Sequence, residues 1–568
     1  MSGRRVMVVL MAAALMAPSA ALGAPSEPRL AQAAPATAGA HPAGGSAPRC
    51  VDGHLTTRDI EGAPVMLGLC GGGGDGVGTD ADAAAGDAVG SAVAPGPLDC
   101  AVPILDDRCE TWVSERYDGP RNGNDAPGTG AERRTTMIAH PTADLLFVGG
   151  TSNSGSGATL DVDFVEIAYR ASTGQRVWTR AWGGAGDLTL AYQSSIALSP
   201  DGATLYALGI VGEPGIYKYQ PAIVAFETST GALLWERTYD GGIQAIQTGT
   251  TTLADGTRTD RIYAAGSRGI TALDAGDGRV LWVAPVGVPG GQRLNQVAVS
   301  PDGSRVFAAG GEHRPDGFAK NFLTVAVRAA DGATLWTARD SLTQPDAQTG
   351  NNGVTDLKVT PDGSRVVITG FDPVIGGIVA GDSSAILTIA HDAATGDVAW
   401  RASYGGPVEG ETHYYFSMFQ GMLAISPDGH TAVVAAAISS GSASGTAAYD
   451  VLTGKQLWGV ESRDPVGYAP ISTIGFYPQV TATDDRAFVS NRRDYGLAQT
   501  ATVTTAYGLD TGVVAWAGRF GTTSAFPCGI ARSPDGKRVF VGVTDKEYSV
   551  ALSAGVGSLD IVTMAYDT

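Results

Sequence analysis

The sequence predicts an all-β fold, namely an eight-bladed β-propeller with four antiparallel strands in each blade. Three observations predict it: a repeated pattern of four short apolar runs, one tryptophan at the same place in each repeat, and chain ends that each hold part of a repeat. A period of roughly fifty residues with four strands per unit is typical of a propeller. A helical repeat would instead show apolar residues three and four positions apart.

The stretch from Ser194 to Gly241 shows the repeat most clearly. Its apolar runs occupy residues 195–198, 204–208, 222–226 and 233–235, and Pro, Asp or Gly turns separate them. Short apolar runs between such turns predict antiparallel strands. In the Ser/Thr-Pro-Asp-Gly turn after the first run, Pro presets φ and Gly suits the last position of a type I turn. This turn begins at Ser199, Ser300, Thr360, Ser426 and Ser533.

A tryptophan lies near the end of each repeat, and in seven repeats it follows a glycine by a few residues. These tryptophans are Trp112, Trp178, Trp235, Trp282, Trp336, Trp400, Trp458 and Trp516. We expect each one to dock between neighbouring blades, where a tryptophan buries roughly 150–250 Å². The alternative, an aromatic lining for a quinone or a sugar, is less favoured because the residue has the same place in every repeat.

The two chain ends each contain a fragment of one repeat. Residues Leu559–Thr568 form a third strand with no fourth strand after it, whereas residues Glu110–Gly119 form a fourth strand with no first three before it. We expect the strand around Trp112 to complete the last blade. This pairing would close the ring and remove open sheet edges, which invite aggregation. Seven whole repeats and this shared one predict eight blades.

Length, charge and composition bound the domain organisation. The chain has 568 residues and a net charge of −19, which disfavours nucleic-acid binding because that needs clustered Lys and Arg. Residues 1–24 are expected to be a signal peptide, with Arg4 and Arg5 before an apolar run too short to span a membrane. Residues 25–109 are expected to be disordered, Ala/Pro/Gly-rich and cysteine-containing, with some β character from Arg49 to Leu69. Residues 110–568 form the predicted propeller, a secreted or periplasmic monomer without a transmembrane segment.

Five cysteines suit an oxidising compartment. Cys50, Cys70, Cys100 and Cys109 precede the propeller, and two disulfides among them allow three connectivities. We favour a short-loop pair between Cys100 and Cys109. Cys528, in the last repeat, is then the odd thiol, and we expect it to be packed rather than reactive.

Two groups of acidic residues are candidates for calcium or another metal ion. Glu409, Glu411 and His413 lie close together in one loop, and four aspartates lie in the N-terminal segment at Asp75, Asp80, Asp82 and Asp87. The four aspartates lack the spacing of a calcium-binding loop, and a cluster such as that at Glu409 is more often a solvated loop. We therefore favour a solvated loop and a solvated linker. Calcium remains possible through ligands drawn singly from several blades.

The repeat Asp-x-x-Thr-x-Ala-Tyr-Asp-x-x-Thr-Gly-x-x-x-Trp, followed by Arg-Tyr-x-Gly-Pro and then Ser-Pro-Asp-Gly, resembles a family of secreted bacterial proteins. These are the pyrroloquinoline-quinone-binding-like β-propeller repeat proteins. The matching segments include Ile561–Asp567, Thr230–Trp235 and Arg116–Gly123. The resemblance extends from about Glu110 to Thr568 and implies a quinoprotein-like eight-bladed propeller.

The dehydrogenase motifs of quinoproteins do not carry over to this sequence. Those enzymes typically have two adjacent cysteines against the quinone, and their haem-bearing relatives have Cys-x-x-Cys-His. The sequence contains neither motif, and the catalytic calcium-bound aspartate of those enzymes matches no position here. No catalytic or cofactor-binding residue is therefore assigned.

The connections from each fourth strand to the next first strand collect on one face, and the longest predicted loop among them spans Gly405 to Gly421. With the next such loop it predicts a ligand patch, suited to a sugar, a peptide or an apolar partner. The patch residues are His413, Tyr414, Tyr415, Phe416, Phe419, Tyr468 and Tyr477. Alternatively, these rings plug the mouth of the channel.

The sequence therefore favours a secreted, non-catalytic binding propeller whose partner is a protein, a glycan or a small ligand. The alternative is an enzyme with ligands dispersed over several blades. Such an enzyme would be either a quinone-dependent oxidoreductase or a calcium-dependent hydrolase of the lactonase type.

Overall fold

A computed structural model describes most of the propeller and part of the N-terminal segment. The described residues are 49–51, 54–58, 64–69, 110–114, 117, 136–153, 162–183, 190–212, 219–286, 292–313, 320–340, 353–374, 383–404, 415–416, 422–438, 443–463, 478–494, 500–520, 525–546 and 559–568. The chain divides into two units, residues 1–86 and residues 87–568. The predicted signal peptide and Cys70, Cys100 and Cys109 lie outside the described residues.

The first unit contains a three-stranded antiparallel sheet. Its strands are β1 (Arg49–Val51), β2 (His54–Arg58) and β3 (Pro64–Leu69), paired in the order β1-β2-β3. These strands fall in the stretch where the sequence shows β character.

The second unit forms eight blades built on four antiparallel strands each, which confirms the predicted fold class. A single parallel pair, Val162 with Leu190, joins the first two blades into one sheet. The first four blades are β5 (Thr136–Ala139), β6 (Leu146–Asn153), β7 (Val162–Tyr169), β8 (Arg176–Trp182); β9 (Leu190–Leu198), β10 (Thr204–Gly212), β11 (Tyr219–Glu227), β12 (Leu233–Thr238); β13 (Ile243–Thr252), β14 (Arg258–Gly266), β15 (Gly269–Asp274), β16 (Val280–Ala284); and β17 (Gln292–Val299), β18 (Arg305–His313), β19 (Lys320–Arg328), β20 (Thr334–Asp340).

In the sixth blade, two short pieces, β25 and β26, share the place of the first strand, since both pair with β27. The last four blades are β21 (Gly353–Val359), β22 (Arg365–Val374), β23 (Ser383–Asp392), β24 (Val398–Tyr404); β25 (Tyr415–Phe416), β26 (Leu423–Ile425), β27 (Thr431–Ile438), β28 (Ala443–Asp450), β29 (Gln456–Arg463); β30 (Gln479–Ala482), β31 (Arg486–Asp494), β32 (Thr500–Gly508), β33 (Val514–Phe520); and β34 (Ala525–Arg532), β35 (Arg538–Lys546), β36 (Leu559–Asp567) with β4 (Glu110–Val113).

The eighth blade closes the ring by pairing the two ends of the propeller, as predicted. Its strand order is β34-β35-β36-β4. Trp112 lies opposite Ala565, and Tyr117 forms a further antiparallel bridge with Ile561. The early strand therefore supplies the fourth strand that follows β36 in space but not in sequence.

The hydrophobic core lies between neighbouring blades. Side chains alternate between the two faces of a strand, so a central strand contributes to the core on both sides of its blade. One cluster, for example, joins Tyr263 and Ile270 of the third blade to Val306 and Leu323 of the fourth. Among the described residues no helix is long and apolar enough to cross a membrane.

The Ser/Thr-Pro-Asp-Gly turn is held by its own side chains. In the second blade the Ser199 hydroxyl donates to Asp201 Oδ1 at 2.5 Å, and the Ala203 backbone N–H donates to the same oxygen at 2.9 Å. These two bonds favour the ionised carboxylate and lower the pKa of Asp201. Gly202 takes φ of 77°, a conformation that side chains with a Cβ rarely adopt.

Candidate functional site

The two faces of the propeller differ in the connections they carry. Because strands within a blade alternate in direction, the first-to-second and third-to-fourth turns lie on one face, which we term the turn face. The second-to-third connections and the links to the next blade lie on the opposite face, the loop face. The first strands of adjacent blades contact one another in a closed ring, from β5 through β34 and back to β5. This inner layer surrounds the channel.

Among the residues that the structure describes, a β-bulge interrupts the inner strand of five blades. A bulge adds one residue to a strand and re-aims its side chain, and bulges are frequent next to functional sites. Each of these bulges lies in the half of its strand that is nearer the loop face. The bulged residues are Ser194, Gln244, Asn295, Thr355 and Cys528. The repeat therefore brings a ring of mostly polar residues to the inner layer.

A glycine in the second strand accommodates the bulge next to it. Gly310 pairs with Leu294 beside the bulged Asn295. A Cβ atom at Gly310 would overlap the carbonyl oxygen of Arg293 and lie 2.7 Å from Leu294 Cα. Backbone atoms cannot move away as a flexible side chain can, so this position excludes any larger residue while the bulge persists.

Gly310→Ala is expected to destabilise the protein by about 1–3 kcal/mol, because the added methyl group forces the bulged strand away from β18. Urea unfolding measures the change. Gly276→Ala is the matched control, since the nearest atom to its Cβ position is a side-chain oxygen of Asp274 at 3.2 Å. Equal effects of the two substitutions would contradict the requirement for glycine beside the bulge.

Polar side chains of the inner layer connect the third, fourth and fifth blades. Arg293 Nη2 donates to Gln244 Oε1 at 2.8 Å. Asn295 Nδ2 donates to the carbonyl of Val354 at 2.7 Å, and Gln296 Nε2 donates to the carbonyl of Thr355 at 2.8 Å. These bonds join neighbouring inner strands that share no sheet hydrogen bonds.

A buried carboxylate continues this connection to the sixth blade. The side chain of Asp356 is 1% exposed, and its Oδ1 accepts from Lys358 Nζ at 2.5 Å. Its Oδ2 accepts from the backbone N–H of Leu423 at 3.1 Å. Lys358 is 44% exposed. We term Gln244, Arg293, Asn295, Gln296, Asp356 and Lys358 the channel wall.

The channel wall is suited to holding hydrogen-bond acceptors. Arg293 is exposed and Lys358 is partly exposed, and both carry positive charge in a chain whose net charge is −19. Guanidinium and ammonium groups only donate hydrogen bonds. A ligand that offers carbonyl or carboxylate oxygens therefore matches the exposed part of this wall.

The structure corrects one expectation about the predicted aromatic patch. Tyr415 and Phe416 do not belong to a loop: they form β25, opposite Ile438 and Ala437 of β27. They thus begin the inner layer of the sixth blade, and β25 contacts β23 of the fifth blade. Their side chains lie outside the described part of the chain, and so do His413, Tyr414, Phe419, Tyr468, Tyr477, Glu409 and Glu411.

Sequence reasoning missed the channel wall because its residues carry no motif of their own. The available signal was a glycine within the second strand, in Ala264-Ala265-Gly266 and Ala308-Ala309-Gly310. A glycine inside a strand pattern suggests a bulge or a close backbone approach. The partner of each bulged residue lies in the next blade and cannot be read from the repeat.

The eight repeat tryptophans lie in the outer strands at blade junctions. A β-bulge lies directly before each of these tryptophans. In the fifth blade, for example, Ala390 pairs with Trp400 and the next residue, His391, pairs with Val398. The indole of Trp400 donates to the carbonyl of Val451 in the next blade at 2.7 Å. Equivalent bonds run from Trp112 to Ala171, Trp178 to Thr228, Trp235 to Ala275, Trp336 to Ala393 and Trp458 to Leu509. The contribution of these contacts to stability stays a prediction.

Trp282 differs from these six tryptophans. Its indole Nε1 is buried without a hydrogen-bond partner. The carbonyl of Ala329 is the equivalent acceptor. It accepts hydrogen bonds from Arg261 Nη1 at 2.7 Å and from the Tyr263 hydroxyl at 3.2 Å instead.

The described residues do not fit a quinone and calcium site. All nine tryptophans of the chain are described and lie in outer strands, so none is placed to stack on a quinone in the channel. Within the described residues, no group of three or more His, Cys, Asp or Glu side chains comes close enough to hold a metal ion. Glu166, in β7, is fully buried, and burial raises the pKa of its carboxyl well above the usual value. It lies in the third strand of its blade, away from the inner layer.

Comparison with known proteins relates the chain to one family. The family model described as outer membrane protein assembly factor BamB, PQQ_2, matches residues 163–361 and 320–523. Among solved structures, BamB from Moraxella catarrhalis is similar at 14% identity and a TM-score of 0.40, covering 77% of this chain and 99% of that chain. A europium-containing methanol dehydrogenase is similar at 13% identity and a TM-score of 0.43, covering 79% of this chain and 95% of that chain. No curated protein matches the chain.

Proposed function

Because the chain belongs to the PQQ_2 family of propeller proteins, described as outer membrane protein assembly factor BamB, we propose that it is an exported, non-catalytic binding protein. An assembly factor acts by binding, and this supports a binding role for the present chain. Export rests on the predicted signal peptide at residues 1–24. The proposed binding surface is the loop-face end of the channel.

The channel wall is the observation that carries this proposal. Near the loop-face ends of the inner strands it offers the positive side chain of Arg293, with the amide of Gln244 bound beside it. An extended protein segment presents a carbonyl at every residue, and acidic side chains add charge complementarity. We therefore propose an acidic, extended peptide segment as the bound group. We propose that Tyr415 and Phe416 of the predicted patch extend this surface, and the contact of β25 with the fifth blade supports this.

Binding of an acidic peptide tests this function. We expect a fluorescently labelled peptide rich in Glu and apolar residues to bind, and a Lys-rich peptide of the same length and apolar content to bind at least tenfold more weakly. Arg293→Glu should weaken acidic-peptide binding about tenfold through charge reversal. Lys455→Glu, which makes the same charge change at an exposed residue on the turn face, is the control. Fluorescence anisotropy measures the dissociation constants. No preference for the acidic peptide, or equal effects of the two variants, would contradict the proposal.

The aromatic pair is tested separately. Tyr415→Ala with Phe416→Ala is expected to weaken acidic-peptide binding and leave the melting temperature unchanged. A lowered melting temperature with unchanged binding would favour rings that plug the channel mouth.

The enzymatic alternatives are a quinone-dependent oxidoreductase and a calcium-dependent hydrolase of the lactonase type. Addition of pyrroloquinoline quinone and calcium, followed by absorbance and by dye reduction with alcohol substrates, tests the first. Hydrolysis of a lactone panel with calcium tests the second. Turnover in either assay would overturn the non-catalytic proposal.

A further inference from the structure

The outer strand of the third blade, β16, is an apolar edge strand. It ends the sheet order β13-β14-β15-β16, so β15 is its only sheet neighbour. Its five residues are Val-Leu-Trp-Val-Ala. Val280 is 51% exposed and Val283 is 40% exposed. An edge strand presents unpaired backbone N–H and C=O groups, and an apolar edge is a template for pairing with another chain.

The other seven outer strands each contain at least one charged residue. In the order β4, β8, β12, β20, β24, β29 and β33, these include Glu110, Arg176, Glu236, Arg339, Arg401, Glu461 and Arg519. Charged side chains on an edge strand prevent edge-to-edge pairing. The third blade lacks this protection. Arg279, which precedes β16, is paired with Asp274 and Asp277 of its own turn.

The second blade adds apolar surface beside this edge. Leu233 and Leu234 of β12 are 51% and 52% exposed. The ring of the next residue, Trp235, packs on Gly278. Because Gly278 lies two residues before Val280, β12 and β16 are neighbours on the rim of the propeller. Exposed apolar residues that lie together on a soluble protein mark an interaction surface.

We propose that β16 pairs antiparallel with β16 of a second copy of this chain, so that the two third blades form one eight-stranded sheet. A two-fold interface brings the same residues from both copies, so its surface must be complementary to itself. A charged outer strand does not meet this requirement, because both copies would bring the same charge to the pair. A strand without charge does. The net charge of −19 opposes contact over a broader surface.

The proposed contact is short. Pro285 follows β16 and has no backbone N–H, so the strand donates no hydrogen bond immediately beyond Ala284. Five residues of antiparallel strand are about 17 Å long. Because a small interface binds weakly, we expect a dissociation constant on the order of 10 µM. The rim lies outside the channel, so a dimer leaves the proposed peptide-binding surface free.

Sedimentation velocity tests this pairing. The unaltered protein should change from monomer to dimer as its concentration rises through the expected dissociation constant. Val283→Lys should weaken dimerisation at least tenfold without lowering the melting temperature, because both copies then bring a positive charge to the edge. Leu335→Lys is the matched control, since Leu335 is also 40% exposed and lies in a charged outer strand. A monomer at tenfold higher concentration, or equal effects of the two substitutions, would overturn the proposal.

Hydrogen exchange locates the contact. Backbone amides of β16 should exchange at least tenfold more slowly in the dimer than in the monomer, whereas those of β20 should not change. A dimer in which β16 exchanges as fast as in the monomer would place the contact elsewhere and contradict pairing through this strand. A protein that stays monomeric, and whose β16 is protected only by an added apolar peptide, would show that a strand of another protein is the occupant and overturn self-association.

Discussion

Trp400→Ala is expected to destabilise the propeller by about 3–5 kcal/mol, the usual range for removal of a buried aromatic side chain. The side chain of Trp400 is 7% exposed, and its ring lies in one cluster with Tyr449 and Leu423 of the sixth blade. The ring also rests on Gly454, whose Cβ position would be 2.6 Å from it. Replacement by alanine would leave a cavity at the junction of the fifth and sixth blades. Urea unfolding, followed by tryptophan fluorescence and circular dichroism, measures the loss.

A matched pair of conservative substitutions separates ring packing from the indole hydrogen bond. Trp336→Phe keeps an aromatic ring but removes the bond to Ala393, which has a length of 3.1 Å. Trp282→Phe removes an N–H group that has no acceptor. Because a buried hydrogen bond contributes about 1 kcal/mol, we expect Trp336→Phe to cost about 1 kcal/mol more than Trp282→Phe. A larger cost at Trp282 would contradict the assigned hydrogen-bond pattern.

The sequence was sufficient to predict the propeller because its signals are local and repeated. Each strand is a short apolar run between turn residues, and the turn beginning at Ser199 recurs with the same internal bonds at Ser300 and Ser426. Ring closure was predictable as well, since Glu110–Val113 and Leu559–Asp567 are complementary fragments of one repeat. Such signals depend on near neighbours in the chain, which a single sequence displays.

The channel wall was not predictable because it depends on which residues of different blades meet. Asp356 is an ordinary acidic residue of a strand in the sequence, and only its contact with Leu423 of the next blade makes it a buried link. The two-residue strand at Tyr415 is equally hidden, because its pairing with Ile438 has no local pattern. Loop assignments from composition are therefore least secure where an inner strand is broken.

Asp340→Ala is expected to cost on the order of 3 kcal/mol at pH 7, because it removes the buried member of an ion-pair group between the fourth and fifth blades. Its carboxylate is 4% exposed and accepts from Arg401. His391, which is fully buried, places Nε2 3.2 Å from Oδ2 of Asp340. Urea unfolding measures the loss. As a control, Asp331→Ala breaks the exposed pair with Arg328 and should cost less than about 1 kcal/mol.

The carboxylate of Asp340 should also make the free energy of unfolding depend on pH in acid. The direction of this dependence follows from its pKa. Burial by itself would raise the pKa of Asp340, but His391 and Arg401 outweigh burial and hold the pKa below its usual value. Stability from this group is therefore fully present above the unfolded-state pKa of about 3.9 and is lost as the pH falls through the lowered folded-state pKa. Unfolding free energies of the unaltered protein between pH 5 and pH 2.5 should fall more steeply than those of Asp340→Asn. Parallel pH profiles would show that this group is not linked to folding through its protonation.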